Sequence, residues 1–276
     1  TFGRVYVNFG DPIQLNDALN DANSDWRNFT YDDNKPPPWV SETIDNLGTD
    51  IITGINNAAV VTPINLLSIA LLSTQKQAMD EGALAKHLDF YLSFLRNVPY
   101  TEFVVVPDIS GADIIAYCER MDILSRQKHP LGDVISLSAD KALLMSYYRN
   151  NIIHLFALVS LVSCLVLNNR RIKRETLVKQ IRQLYVFFQS ELFIHWEEKD
   201  IPDVLERSLA LLVEHGYLIA NDTEVWAPDS RAKEFMHLSI LANTTKQSLE
   251  RFFIAVEILI KSGSGKLKRM QLENAC

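Results

Sequence analysis

His195 and Asp200, separated by Trp196, Glu197, Glu198 and Lys199, are the pair in this 276-residue chain whose types and spacing suit acid–base chemistry. A histidine that takes a proton from an attacking hydroxyl needs an aspartate to orient its imidazole, and both need a pocket wall carrying oxyanion donors. The neighbouring letters point elsewhere. Asp200 stands before Ile201-Pro202, where a carboxylate can cap a helix and proline suits the first turn. The spacing therefore predicts a helix start and not a catalytic dyad. No glycine-rich phosphate loop, HExxH, GxSxG or paired metal-ligand cluster occurs in the sequence. No residue is assigned a catalytic, cofactor-binding or metal-binding role.

A second constellation is Arg149, Asn150, Asn151 and His154. Asn150 and His154 lie four apart and share a helix face. In one reading asparagine caps the helix and His154 is a core histidine bonded to a carbonyl; in the other, Arg149 and the asparagines hold an anion at a helix N-terminus. Both stay open. A third is the basic run of Arg170, Arg171, Lys173, Arg174, Lys179 and Arg182. It reads as a solvated helix start, or as a contact for anionic lipid headgroups at about 1 kcal/mol per basic residue. Cys118, Cys164 and Cys276 have no metal-ligand spacing and read as buried free thiols.

The elements that must position these residues centre on residues 145–167, MSYYRNNIIHLFALVSLVSCLVL. From Ile152 onward this stretch is apolar all round, which predicts one central core helix, and the uncharged run falls short of the roughly 20 residues a bilayer requires. Around it the sequence repeats. Leu72, Leu84, Leu88 and Leu92 align with Leu165, Leu177, Ile181 and Tyr185 at a constant offset of 93 positions. Each unit reads as an apolar helix, a polar turn and an amphipathic helix. A third helical segment follows in each, at residues 112–121 and 201–215, and then a hairpin: 123–126 with 134–137, and 217–220 with 224–227.

The expected fold class is therefore mainly α-helical: tandem winged-helix-like units with small β-hairpins, preceded by a strand. The expected divisions are a strand within 1–14 (RVYVNF), a Pro-rich linker over 15–41, units at 42–140 and 141–229, and C-terminal helices over 230–276. In the last of these, residues 230–261 carry an apolar stripe of Leu238, Leu241, Leu249, Phe252, Phe253, Val256 and Leu259. Gly263 is expected to stop that helix, and Lys266, Lys268 and Arg269 to open another.

With 47% hydrophobic residues, 22% charged residues and a net charge of −7, the chain has a globular composition and does not favour an anionic polymer as partner. The helix that would enter a DNA groove, 201–215, carries Asp203, Glu206 and Glu214 against a lone Arg207. It would repel phosphates, so nucleic acid is not an expected partner.

Several strings resemble one family. RVYVNFGDPI (4–13), INNAAVVTPINLLSIALLS (55–73), FLRNVPY (94–100), SYYRNNIIHLFAL (146–158) and SELFIHWEEKDIPDVLE (190–206) are similar, in order and spacing, to the C-terminal part of the large membrane-bound bacterial glycerol-3-phosphate 1-O-acyltransferases. The resemblance implies that RVYVNF is a late strand of an α/β acyltransferase domain. It also implies that the family's histidine-aspartate motif and its glycine-flanked arginine motif lie upstream of that strand, so that the chain is a fragment inactive on its own. The expected activity of the whole enzyme is acyl transfer from acyl-CoA or acyl carrier protein to sn-glycerol 3-phosphate, forming lysophosphatidate. The expected place is the cytoplasmic side of the bacterial inner membrane, at an anionic surface, and no cofactor is implied. The alternative from the residues alone is a non-catalytic tandem winged-helix protein-interaction module.

Overall fold

The computed structural model describes residues 5–30, 36–137, 140–263, 265–266 and 270–271. Residues 5–14 run without regular structure into α1 (Leu15–Ala22), and α2 (Pro38–Asn57) follows. The first unit is α3 (Pro63–Leu72), β1 (Ala78–Asp80), α4 (Glu81–Asn97), α5 (Gly111–Arg120), β2 (Leu124–Gln127) and β3 (Val134–Leu137). After α6 (Ala142–Asn150) the second unit repeats the order with α7 (Ala157–Asn169), β4 (Arg171–Lys173), α8 (Arg174–Leu192), α9 (Ile201–Glu214), β5 (Ile219–Ala220) and β6 (Glu224–Trp226). The chain then forms α10 (Lys233–Asn243) and α11 (Lys246–Ser262).

Local chemistry sets the helix starts in the first unit. Thr62 and Asn65 form a capping box ahead of α3, with Pro63 in the first turn. The Asp80 carboxylate accepts from the Ala83 N–H, and Ser110 with Asp113 caps α5. Each unit closes a three-stranded antiparallel sheet whose last strand lies in the middle, β1-β3-β2 and β4-β6-β5. Met79 faces Ile135 across one sheet and Ile172 faces Val225 across the other. The tandem units are thus as expected, with one addition. What reads as a polar turn after the first helix holds a strand in each unit, and Met79 and Ile172 stand at the same 93-residue offset as the helices.

The two units share one hydrophobic core. Phe90 of α4 meets Tyr217 at 4.7 Å between rings, and Tyr91 meets Phe156 at 4.6 Å. α10 joins both units: Asn243 donates to the Ser73 carbonyl, and His87 and His237 lie Nδ1 to Nδ1 at 3.1 Å. Each large side chain buried there contributes about 1.5–3 kcal/mol.

Four expectations need correction. Residues 145–167 are not one helix: α6 ends at Asn150, a 3-10 turn spans Ile153–Phe156, and the axis bends by 68°. The Asn65 amide donates to the Tyr148 carbonyl, satisfying an acceptor that the break leaves without its helical partner. The Pro-rich linker is shorter than 15–41, since α1 lies within it and Pro38 opens α2, where a missing N–H costs nothing. Among the described residues, 5–14 form no strand: the segment pairs with no other, and without a ladder of hydrogen bonds nothing holds it as one. The stripe over residues 230–261 is broken at Thr244 into α10, which is buried, and α11, which is mostly exposed. Gly263 does stop α11, at φ 84°. Of the helix expected after Lys266, Met270 and Gln271 are helical; Lys268, Arg269 and Cys276 lie outside the described residues.

No single helix among the described residues is long and apolar enough to cross a membrane. The apolar part of the 145–167 stretch is spent on the core: residues 153–163 are buried throughout.

Candidate functional site

The acid–base spelling does not form a site. His195 donates its backbone N–H to the Tyr100 hydroxyl at 3.0 Å, packs edge-on against that ring at 4.4 Å, and buries an Nδ1 with no partner among the described residues. Burial holds its proton affinity below the ordinary histidine range. The Asp200 carboxylate accepts from the Glu197 N–H at 2.9 Å. Asp200 does stand ahead of α9, but the expected side-chain cap is absent. Its backbone is already helical (φ −83°, ψ −25°), and the carboxylate closes the preceding turn instead of reaching forward.

His154 is the core histidine of the first reading: buried, with Nε2 3.1 Å from the Asn56 carbonyl, so the proton sits on Nε2. Burial pushes its pKa down to about 4, and His195 nearby adds to the shift. Asn150 is not a cap. It is the last residue of α6, and its side-chain oxygen accepts from the Arg149 guanidinium at 3.0 and 3.2 Å. An anion at a helix N-terminus is therefore ruled out for α6 itself, whose C-terminal end carries the negative pole here.

Arg149 instead reaches toward another helix. Its Nη2 lies 3.5 Å from Gln247 Oε1, in the first turn of α11 and one turn before Arg251. Arg149, Arg251, Glu191 and Asn56 share a cavity of about 430 Å³ between α2, the end of α6, the end of α8 and the start of α11. Glu191 pairs with Arg251 and accepts from the Ser248 hydroxyl at 3.2 Å. Phe193 lines the same cavity at φ 50°, a left-handed conformation that a bulky residue adopts at a cost; the Asn56 amide bonds its carbonyl at 3.3 Å and that of Leu192 at 2.8 Å. Gln247, Arg251 and Glu191 escaped the sequence reading because no local spacing links them to Arg149.

A second cavity, of about 610 Å³, adjoins the first through Asn56 and Asn150 and is walled by the N-terminal segment. The Asn8 amide anchors that segment, donating to the Ala58 carbonyl at 3.1 Å and the Phe103 carbonyl at 2.7 Å. Gly10 lies so close to α2 that a Cβ would stand 3.2 Å from the Gly54 carbonyl oxygen. Beyond these anchors the segment is uncovered: Val5, Val7 and Phe9 are 88%, 76% and 82% exposed.

The basic run is largely occupied. Arg171 pairs with Glu224 and lies over the Trp226 ring, Arg174 pairs with Glu206, Arg182 reaches Glu198, and Arg170 covers Phe235. In α9, Arg207 pairs with Asp203. Cys118 is buried, with its thiol pushed up to about 12, and Cys164 is half-buried. Among the described residues no group of three or more His, Cys, Asp or Glu is placed to hold a metal ion.

Comparison with known families matches residues 1–276, the whole chain, to the glycerol-3-phosphate acyltransferase C-terminal region. Among curated proteins, the glycerol-3-phosphate acyltransferase of Pseudomonas syringae pv. syringae is 41% identical over 275 residues, and that of Pseudomonas aeruginosa strain UCBPP-PA14 is 39% identical over the same length. Each match covers 100% of this chain and 33% of the relative, so the chain spans about a third of the length of the curated relatives it matches. The chain belongs to the family formed by the C-terminal region of glycerol-3-phosphate acyltransferases.

Proposed function

We propose that this chain is the non-catalytic C-terminal portion of a glycerol-3-phosphate 1-O-acyltransferase. The whole enzyme moves a fatty acyl group from the thioester of acyl-CoA or acyl carrier protein to the first hydroxyl of sn-glycerol 3-phosphate; the ester is lysophosphatidate, and the thiol leaves. It works in phospholipid synthesis at the cytoplasmic side of the bacterial inner membrane. The observation that carries this reading is the end-to-end match to the family's C-terminal region. The surface agrees with it, because Val5, Val7 and Phe9 offer an apolar edge anchored at Asn8 and Gly10. A strand of an acyltransferase domain would dock there, and the relatives are about three times as long as this chain. His195 and Asp200 take no part, since each is committed to structural contacts.

The test is transfer of labelled acyl groups from acyl-CoA to glycerol 3-phosphate by this chain alone and by a chain in which a relative's preceding portion is joined to it. Activity only in the joined protein is the expected result. Activity of the 276 residues alone would overturn the assignment, and so would a joined protein indifferent to Val7→Asp and Phe9→Asp.

A further inference from the structure

We propose that the cavity between Arg149 and Arg251 binds a phosphomonoester, the group carried by glycerol 3-phosphate, by lysophosphatidate and by the 3′-phosphate of coenzyme A. The candidate molecules come from the functional reading above; the chemistry of the cavity stands apart from it.

Four observations converge. The Arg149 guanidinium is half-buried, and among the described residues its partners are the amide oxygens of Asn150 and Gln247 and no carboxylate. A half-buried guanidinium keeps only part of its hydration, and an anion entering the cavity would give it the counter-ion it lacks. Arg251 brings a second guanidinium to the same cavity, and Glu191 neutralises only one of the two. Burial first, and Arg251 second, lower the proton affinity of Arg149, in keeping with two cations on one cavity wall. The first turn of α11 also opens on the cavity through Gln247 and Ser248, and the N-cap residue Thr245 makes no side-chain cap bond, so the positive end of a 17-residue helix adds to the field.

A phosphomonoester suits this arrangement better than a carboxylate. Its three terminal oxygens can take a two-pronged guanidinium on one side and the Gln247 amide on another. Gln247 now offers its oxygen to Arg149, and a half-turn of that amide presents its NH₂ to the ligand. The volume of about 430 Å³ admits the head of such a ligand with water around it.

The experiment is calorimetric titration of the 276-residue chain with glycerol 3-phosphate, a short-chain lysophosphatidate and coenzyme A, with glycerol and dephospho-coenzyme A as controls. Expected is saturable binding by at least one phosphomonoester and none by its phosphate-free control; the arm that binds identifies the source. Arg149→Gln should weaken that binding about tenfold or more, as loss of a charged hydrogen-bond partner does. Glu191→Gln should tighten it several-fold by releasing Arg251, a gain that a misfolded variant cannot imitate. Absence of saturation by about 10 mM, a concentration at which even a millimolar site fills, overturns the proposal. So does equal binding by the controls, or a Glu191→Gln protein that binds more weakly than the wild type. Failure here leaves the acyl-transfer experiment untouched, because that experiment reads a joined enzyme and not this cavity.

Discussion

His154 makes the stability of this chain depend on pH in a way that one substitution isolates. In the unfolded chain its pKa is that of a free histidine, 6.5; folded, it is about 4, because burial penalises the imidazolium. Between those values the folded chain binds fewer protons than the unfolded chain, so the free energy of unfolding falls as pH falls. The gap spans two and a half decades of proton concentration at about 1.4 kcal/mol each, for a full loss of about 3 kcal/mol below pH 4 and about 2 kcal/mol at pH 5. Above pH 7.5 the contribution is essentially nil. His87, His195 and His237 are also held below the ordinary range, so wild type will lose more than His154 alone accounts for. His154→Gln separates the terms, since glutamine can still donate to the Asn56 carbonyl and does not titrate. The assay is urea unfolding of both proteins, followed by tryptophan fluorescence, at pH 7.5 and pH 5. The wild type should lose about 2 kcal/mol more than the variant over that interval. Equal losses would mean that His154 is not the buried, neutral group described, and the argument from its environment would fail.

Three further outcomes are expected. Gly111→Ala should lower stability by about 1–3 kcal/mol in thermal unfolding, because the new Cβ would run into the Ala85 carbonyl oxygen, where backbone meets backbone and cannot turn aside; an unchanged Tm would disprove the close approach of α4 and α5. Arg126→Gln should also lower Tm, since one guanidinium ties Glu81, Glu119 and Asp133 together and its loss leaves three carboxylates facing one another. The deficit should shrink in about 1 M salt, and a deficit that ignores salt would assign the arginine to packing instead. Phe253→Glu with Ile260→Glu should leave stability within about 0.5 kcal/mol, because these side chains are 67% and 74% exposed, and should reduce flotation of the chain with anionic liposomes; unfolding of the double variant would place α11 in the core, and undiminished flotation would free α11 of any lipid contact.

The repeat was legible because it is written in helices. Leu84, Leu88 and Leu92 recur as Leu177, Ile181 and Tyr185, and a helix face several turns long leaves several letters to compare. β1 and β4 were not legible, since each is three residues long with a single buried apolar side chain, Met79 or Ile172. What makes them strands is the central strand beside them, a tertiary cause that leaves no local periodicity. The break after Asn150 was hidden for a similar reason: no proline or glycine marks it, and the Asn65 amide that receives the Tyr148 carbonyl comes from α3. Arg149 stands out in the sequence, but at the end of one helix and not at the start of another. Its spacing with Asn150 and His154 describes the end of α6, whereas its electrostatic surroundings are set by Gln247 and Arg251 on α11.

Exposure was the least legible property of all. Phe253, Val256 and Leu259 belong to the apolar stripe of the sequence reading, and Val7 and Phe9 to its strand, yet all five are substantially exposed. A hydrophobic pattern states what a segment gains by being covered and carries no address for the cover. In this chain the core is already complete without them, closed by α7, α10 and the seam of Phe90, Tyr91, Phe156 and Tyr217. The uncovered apolar edge at residues 5–9 and the uncovered face of α11 are therefore surplus to the fold of these 276 residues. The curated relatives are about three times as long as this chain, so these faces are uncovered in a third of such a length and not in the whole of it.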